Sequence, residues 1–259
     1  MSDVTAGPTH SSIKSSPITW GPIAAVLVTL IAYFASQLFG SVIILGFAKT
    51  QGWSHEQIVA WTDKVWPQFV YILIVEAAML GILWFYLKHR KASFKTLGLV
   101  KQIGWKDLTY TLIGFAIYLP LLIAAMAAVK VWFPGVNLEQ QQQIGFQAAH
   151  GYSLIVVFVS LVVLPPVAEE IVARGFLYLG LKSKLPVIWA AIFTSLIFAS
   201  AHLQFGSNAP LLWAAAIDTF ILSMVLVFLR EKTGHLWSSI GLHMIKNSLA
   251  FMALFIFVT

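Results

Sequence analysis

Seven long runs of apolar residues constrain the fold of this chain more than any other feature of its sequence. A helix needs about 20 mostly apolar residues to cross the hydrocarbon core of a bilayer. Because these runs lack the alternation of barrel strands, they predict helices. The sequence therefore predicts an all-α, polytopic membrane helix bundle with seven transmembrane helices, or eight if the first run breaks near Gly40. The runs are 18–48, 68–87, 108–132, 153–181, 186–203, 210–229 and 236–258.

The composition excludes several other classes of protein. Hydrophobic residues make up 59% of the chain and charged residues only 10%, whereas a soluble domain has about 25% charged residues. The apolar content is too high for a disordered protein. The chain has no cysteine, which excludes a disulfide scaffold, an iron–sulfur protein and a thiol protease.

The net charge of +6 follows from the membrane topology. Lysine and arginine are concentrated in the 88–106 loop and at 182–184 and 230–232, and the alternate loops hold few. Short loops rich in these residues lie in the cytoplasm. We therefore expect an integral membrane protein, of a bacterial-type plasma membrane, with a cytoplasmic N-terminus. Since the basic residues are explained by the orientation of the chain in the membrane, we expect no nucleic-acid partner.

The first chemical motif is a pair of glutamates followed by an arginine at membrane depth, where ionisable residues usually mark function. Glu170 and Arg174 lie four residues apart and can pair on one helix face. Glu169 lies about 100° around the helix from its neighbour. It is therefore free to face a cavity, where a lone carboxylate suits general acid–base chemistry. Pro165 and Pro166 predict a kink or a new helix start just before this motif.

Two further motifs lie on later helices. Phe198 and His202 are four residues apart, so the aromatic ring can wall the face that presents the imidazole. His243 and Asn247 have the same spacing, and two converging hydrogen-bond donors are what an oxyanion requires. Counting residues along each helix places all these groups in the inner or middle part of the bilayer, with His202 the least well matched in depth.

These three motifs, in this order, resemble the CAAX-protease and bacteriocin-processing family of intramembrane endopeptidases, which includes the type II CAAX prenyl proteases and the Abi proteins. The stretch 230–237 also resembles the Thr-Gly-x-x-Trp turn of that family. The resemblance covers about 153–250. It departs from the family at Lys246, where an apolar residue is expected.

The resemblance implies a glutamate-type protease in which Glu169 and His202 orient and activate a water molecule. It assigns the oxyanion hole to His243 and Asn247. The same resemblance makes Glu170, Arg174 and Phe198 supporting residues and implies no metal cofactor. The residues by themselves indicate Glu169 as the base and His243 with Asn247 as donors, but they leave a metal-binding role for His202 open.

The chain divides into a polar, disordered tail at 1–17, N-terminal transmembrane spans at 18–150, and a catalytic transmembrane core at 151–259. Together these form one integral membrane domain. The partners implied are membrane lipids and a peptide or protein substrate. A prenylated C-terminal peptide, the leader of a secreted peptide and a membrane-protein stub all fit a membrane cavity.

Four alternatives remain open at this point. Two histidines and a glutamate resemble a catalytic zinc set with an open position. Ser195 or Ser200 could serve as a nucleophile beside His202. Carboxylates at membrane depth also form the proton relays of transporters. A non-catalytic membrane immunity protein is the fourth alternative.

Three further ionisable residues lie in the predicted spans. Asp218 and Lys246 have similar depths, which predicts an ion pair between two helices. Glu76 is isolated on the second span, and we expect a structural role for it.

Overall fold

The computed structural model describes residues 18–99, 102–140, 145–204 and 211–257, and every regular element within these ranges is helical. The all-α class is therefore confirmed. The tail expected at 1–17, the first residue of the sixth run (210) and the last residue of the seventh run (258) lie outside the described residues.

Eight helices make up the described part of the chain, when the irregular helix at 153–182 is taken as one. Their bounds are α1 Pro22–Thr50, α2 His55–Thr62, α3 Val65–His89, α4 Trp105–Trp132, α5 Ser153–Lys182, α6 Val187–Ser200, α7 Trp213–Thr233 and α8 Trp237–Phe255. The three-residue spacing of Ser54 and Gln57 is that of a capping box, and the short α2 starts with one.

Five of these helices are long and apolar enough to cross a membrane, namely α1, α3, α4, α5 and α7. At 14 residues, α6 is too short for a full span. The 19-residue α8 is long enough, but it carries His243, Lys246 and Asn247, which lower its hydropathy. The count of seven or eight spans therefore stays a prediction. The first run forms one unbroken helix through Gly40, which lies against Val75 of α3.

Helix α5 is continuous but irregular. It contains two π-helical stretches, Val159–Val163 and Ile171–Leu177, on either side of an α-helical piece that begins at Leu164. Pro165 and Pro166 lack the backbone N–H groups that a regular helix would use at this point. Wider π turns are rare and concentrate at functional sites; these two flank the two glutamates, and the second contains Arg174.

Loops at one end of the bundle carry most of the basic residues, and we call this end the basic end. The described lysines and arginines there are Lys88, Arg90, Lys91, Lys95, Lys106, Lys182, Lys184, Arg230 and Lys232. The loops are tied together: the Lys182 ammonium lies 2.5 Å from Glu231, and the Leu236 amide donates to the Gly98 carbonyl at 3.2 Å. These contacts bring the ends of α3, α5 and α7 and the starts of α4, α6 and α8 to one face.

Near the basic end, α1 packs closely against the end of α5. Trp20 stacks on Phe176 with ring centroids 5.0 Å apart, and its indole donates to the Phe176 carbonyl at 3.1 Å. The contact requires glycine at position 180, because a Cβ atom there would lie 2.4 Å from the Cβ of Ala25. This packing holds the helix that carries the glutamates against the first helix.

We predict that Gly180→Leu lowers the free energy of unfolding by about 1–3 kcal/mol, as overpacking typically does. Thermal unfolding of the detergent-purified protein measures it. Gly46→Leu on α1 is the matched control, because nothing lies within 4 Å of a Cβ at that position, and leucine has the better helix propensity. Equal destabilisation by both variants would contradict the packing argument.

Candidate active site

A fully buried ion pair lies at the centre of the site. The Arg174 guanidinium donates from Nη1 to Oε1 of Glu170 at 2.7 Å, and both side chains are 0% exposed. The Phe198 ring lies 4.4 Å from the Arg174 Cζ atom, as in a cation–π contact. This contact covers a guanidinium whose Nε and Nη2 atoms have no hydrogen-bond partner among the described residues. The pair predicted from the four-residue spacing is therefore present.

His243 lies between the two glutamates. Its Nδ1 atom is 3.1 Å from Oε1 of Glu170, and its Nε2 atom is 3.7 Å from Oε2 of Glu169. A carboxylate only accepts hydrogen bonds, so we assign the Nδ1 proton of His243 to the bond with Glu170. In the neutral ring Nε2 then carries a lone pair, and His243 donates from Nε2 only when the ring holds a second proton.

The run expected at 186–203 is helical only to Ser200, so His202 lies in the turn directly after α6 and is oriented by the last turn of that helix. Its Nδ1 atom lies 3.0 Å from the Phe198 carbonyl oxygen, and its ring centroid is 5.1 Å from that of Phe198. Because a carbonyl accepts, we assign the proton of the neutral imidazole to Nδ1. This assignment leaves the Nε2 lone pair of His202 available to accept a hydrogen bond from a water molecule.

Asn247 is held by a carbonyl that the prolines leave without a helical partner. Its Nδ2 atom donates to the Leu161 carbonyl at 2.9 Å. In an α-helix that carbonyl would accept from residue 165, and in a π-helix from residue 166. Both positions are prolines and have no N–H group. The bond fixes the carboxamide of Asn247 and leaves its second N–H for another acceptor.

The four predicted functional side chains line one cavity of about 200 Å³. Glu169, on α5, is 26% exposed there, whereas Glu170 beside it is completely buried. One glutamate is thus accessible from the cavity and the other is not, as their positions around the helix predict. The residues lining the cavity are Leu161, Pro165, Glu169, Phe198, His202, Thr219, Leu222, His243, Lys246, Asn247, Ala250, Phe251, Leu254 and Phe255.

These groups meet although their distances from the helix ends differ. Counted along the helices, Glu169 is about 20 Å from the end of α5, and His243 is about 9 Å from the start of α8. The contact between them shows that these two helix ends are not level. Leu236, directly before α8, is fully buried, so α8 begins inside the bundle. A count of residues that assumes helix ends at the same depth therefore overstates the difference in depth between these side chains.

Lys246 also lines the cavity, and it forms the ion pair predicted from the sequence. Its ammonium lies 3.1 Å from Oδ2 of Asp218 on α7. The other carboxylate oxygen of Asp218 accepts a short hydrogen bond from the Tyr118 hydroxyl on α4. The sequence analysis did not single out Tyr118, because an isolated tyrosine in an apolar run carries no spacing signal.

The remaining candidates lie outside the lining of this cavity. Oε2 of Glu76 is enclosed and has no hydrogen-bond partner among the described residues. The Ser200 hydroxyl donates to the Ile197 carbonyl of its own helix at 2.7 Å, and the Ser195 hydroxyl is buried. This placement gives no support to a serine nucleophile beside His202.

Among the residues that the structure describes, no group of three or more His, Cys, Asp or Glu side chains is arranged to hold a metal ion. This arrangement gives no support to the zinc-dependent alternative.

A larger cavity of about 400 Å³, lined by residues such as Ser41, Gln68 and Phe146, contains none of the motif residues.

The cavity gathers a carboxylate, two imidazoles and a carboxamide within an all-helical bundle. Comparisons with known proteins indicate the class to which such a site is similar. Residues 151–249 match the family model described as type II CAAX prenyl endopeptidase Rce1-like. No curated protein and no solved structure matches the chain.

The matched segment contains all three motifs and is consistent with the CAAX-protease and bacteriocin-processing family, so the resemblance stated from the sequence is confirmed over this part of the chain. A match to a protease family supports a hydrolase that acts on a peptide or protein in a membrane. The five long apolar helices support an integral membrane protein.

We predict that Asp218→Asn and Lys246→Met each lower the unfolding temperature, because each leaves a partly buried charge without its partner. The double variant should lose less free energy of unfolding than the sum of the losses of the two single variants, with a coupling free energy of about 1 kcal/mol. A double-mutant cycle by thermal unfolding measures it. Additive losses would show that the 3.1 Å contact contributes nothing to stability.

Proposed function

We propose that this protein is an intramembrane endopeptidase that hydrolyses a peptide bond by direct attack of a water molecule. The observation that carries the proposal is the single cavity lined by Glu169, His202, His243 and Asn247, which come from α5, the turn after α6, and α8. General base, water-orienting group and oxyanion donor are the roles that such a hydrolysis requires. The family match at 151–249 supports the same reaction class.

In the proposed reaction, Glu169 acts as the general base. It is the accessible carboxylate of the pair, and the neighbouring Glu170 is already neutralised by Arg174. His202 orients the attacking water, because its Nδ1 proton is held by the Phe198 carbonyl and its Nε2 lone pair can accept from that water. The water oxygen bonds to the scissile carbonyl carbon, and one water proton passes to Glu169.

Asn247 and His243 stabilise the oxyanion. One N–H of the Asn247 carboxamide is used by the Leu161 carbonyl, and the other donates to the oxyanion. His243 becomes a donor at Nε2 when the proton taken by Glu169 moves to it across their 3.7 Å contact. The C–N bond then breaks and the leaving amine takes that proton, so the enzyme returns to its starting state.

The proposed substrate is a peptide or membrane-associated protein whose chain reaches the cavity within the bilayer. Leu161, Phe251 and Leu254 provide apolar walls next to the reacting groups. The proposed reaction uses no metal ion and no covalent enzyme intermediate.

We predict that Glu169→Gln and His202→Ala lower kcat by about 10²- to 10⁴-fold, the usual contribution of a general acid–base group. Cleavage of an internally quenched peptide library by detergent-purified protein measures the loss. Glu56→Gln on α2, whose side chain is exposed, should retain full activity. A chelator should have no effect on the wild type.

Two results would contradict this mechanism. Undiminished cleavage by Glu169→Gln would exclude Glu169 as the base. Loss of wild-type activity with a chelator, restored by zinc, would require the zinc-dependent form of the same protease. Unfolding temperatures of all variants separate loss of chemistry from loss of structure.

We predict that Asn247→Ala lowers kcat by about 10²- to 10³-fold with little change in KM, because the donor acts on the oxyanion and not on the bound peptide. Ser248→Ala is the matched control, since the Ser248 hydroxyl donates only within its own helix, to the Met244 carbonyl. A rise in KM at constant kcat for Asn247→Ala would instead assign this residue to substrate binding.

A further inference from the structure

The residues that line the catalytic cavity run from the middle of the bundle toward the end opposite the basic loops. On α5, Leu161 and Pro165 lie in the half of the helix that is farther from the basic end, and Glu169 lies near the middle of the helix. Phe198 lies in the last turn of α6, His202 lies in the turn that follows it, and Thr219 and Leu222 lie in the far half of α7. The cavity therefore extends from the level of Glu169 into the half of the bundle opposite the basic loops.

On α8 the lining continues past the catalytic groups toward the far end of the helix. From Asn247 it runs through Ala250 and Phe251 to Leu254 and Phe255, the last residue of α8. Leu254 is 41% exposed, whereas His243, at the other limit of the cavity, is buried. The lining is thus buried at its limit nearer the basic end and reaches an exposed residue at the far end of α8.

In the opposite direction the bundle is closed. Beneath the reacting groups lie the buried pair Glu170 and Arg174 and then a packed apolar cluster. Phe176, Tyr178 and Leu236 in this cluster are each 0% exposed. A peptide therefore has no path to Glu169 from the basic end through the described core.

The two ends differ in charge. Opposite the basic end, the described lysines are only Lys49, Lys64 and Lys130, and they are accompanied by Glu56, Asp63 and Glu139. Loops rich in lysine and arginine remain on the cytoplasmic side of a membrane. The far end of the bundle, where the cavity continues, is therefore the non-cytoplasmic end.

From these observations we infer that the catalytic cavity opens to the non-cytoplasmic side of the membrane, and that its substrate is a peptide segment presented on that side with apolar residues beside the scissile bond. The substrate part rests on the proposed function, whereas the direction of opening rests on geometry and charge alone. Phe251, Leu254 and Phe255 form the apolar wall that would contact those residues.

The absence of cysteine from the chain permits a direct test by labelling of single cysteines. Ala250→Cys places a thiol in the cavity, and Lys184→Cys places one at the basic end. Leu249→Cys is the matched control, because this neighbour is 45% exposed on the apolar surface of the bundle and does not line the cavity. A charged, membrane-impermeant thiol reagent is applied to intact cells and to inverted vesicles.

We expect Ala250→Cys to react from the outside of intact cells and Lys184→Cys to react only in inverted vesicles. Ala250→Cys should react at least about tenfold faster than Leu249→Cys, because the reactive thiolate forms in water and not in lipid. Reaction of Ala250→Cys only from the side that labels Lys184→Cys would overturn the inference. Equally slow reaction of Ala250→Cys and Leu249→Cys from both sides would also overturn it.

Hydrolysis provides the second measurement. A charged, impermeant quenched peptide with apolar residues at the scissile bond is supplied to one face of sealed vesicles that contain the wild-type protein. Cleavage only from the non-cytoplasmic face supports the inferred substrate, and cleavage only from the basic face overturns it. No cleavage from either face or in detergent would reject the proposed function, and labelling of Ala250→Cys would still decide the direction of opening.

Discussion

The buried contact between Glu170 and Arg174 is the interaction on which the rest of the site depends. A carboxylate and a guanidinium can be removed from water only if each is well compensated. Oε1 of Glu170 accepts from Arg174 and from His243, and the ring of Phe198 covers the guanidinium. These contacts join α5, α6 and α8. Loss of either charge would leave its partner buried and alone, at a cost of about 3–5 kcal/mol.

The same contact explains why two adjacent glutamates have different environments. Glu170 is neutralised and inaccessible, and it serves to orient His243. Glu169 lies around the helix from it and is 26% exposed in the cavity. The ion pair thus supplies a rigid support, and the neighbouring carboxylate stays accessible to a water molecule.

Local spacing was sufficient to predict some of this structure. The pair Glu170 and Arg174 follows from two positions on one helix turn, and the capping box of Ser54 follows from its spacing to Gln57. The partners Asp218 and Lys246 could be matched by depth, since both lie in long helices. The all-α class was also predictable, because long apolar runs are sufficient to predict helices.

Contacts that depend on how helices sit against one another were not predictable. The bond from Asn247 to Leu161 joins residues far apart in the chain and depends on how α8 lies against α5. Tyr118 has no motif that would connect it with Asp218. The number of spans was not fixed either, since α6 is short and α8 carries polar residues. Helix lengths and starting depths are set by tertiary packing, which a single sequence does not display.

The proline pair has a consequence for how this site can vary among related sequences. Pro165 and Pro166 remove both backbone donors that could reach the Leu161 carbonyl, and the carboxamide of Asn247 supplies the missing one. A sequence that regained a non-proline residue at either position would let the helix satisfy its own carbonyl and would release the asparagine to rotate. The prolines and the asparagine should therefore be inherited as a unit, although they lie on different helices.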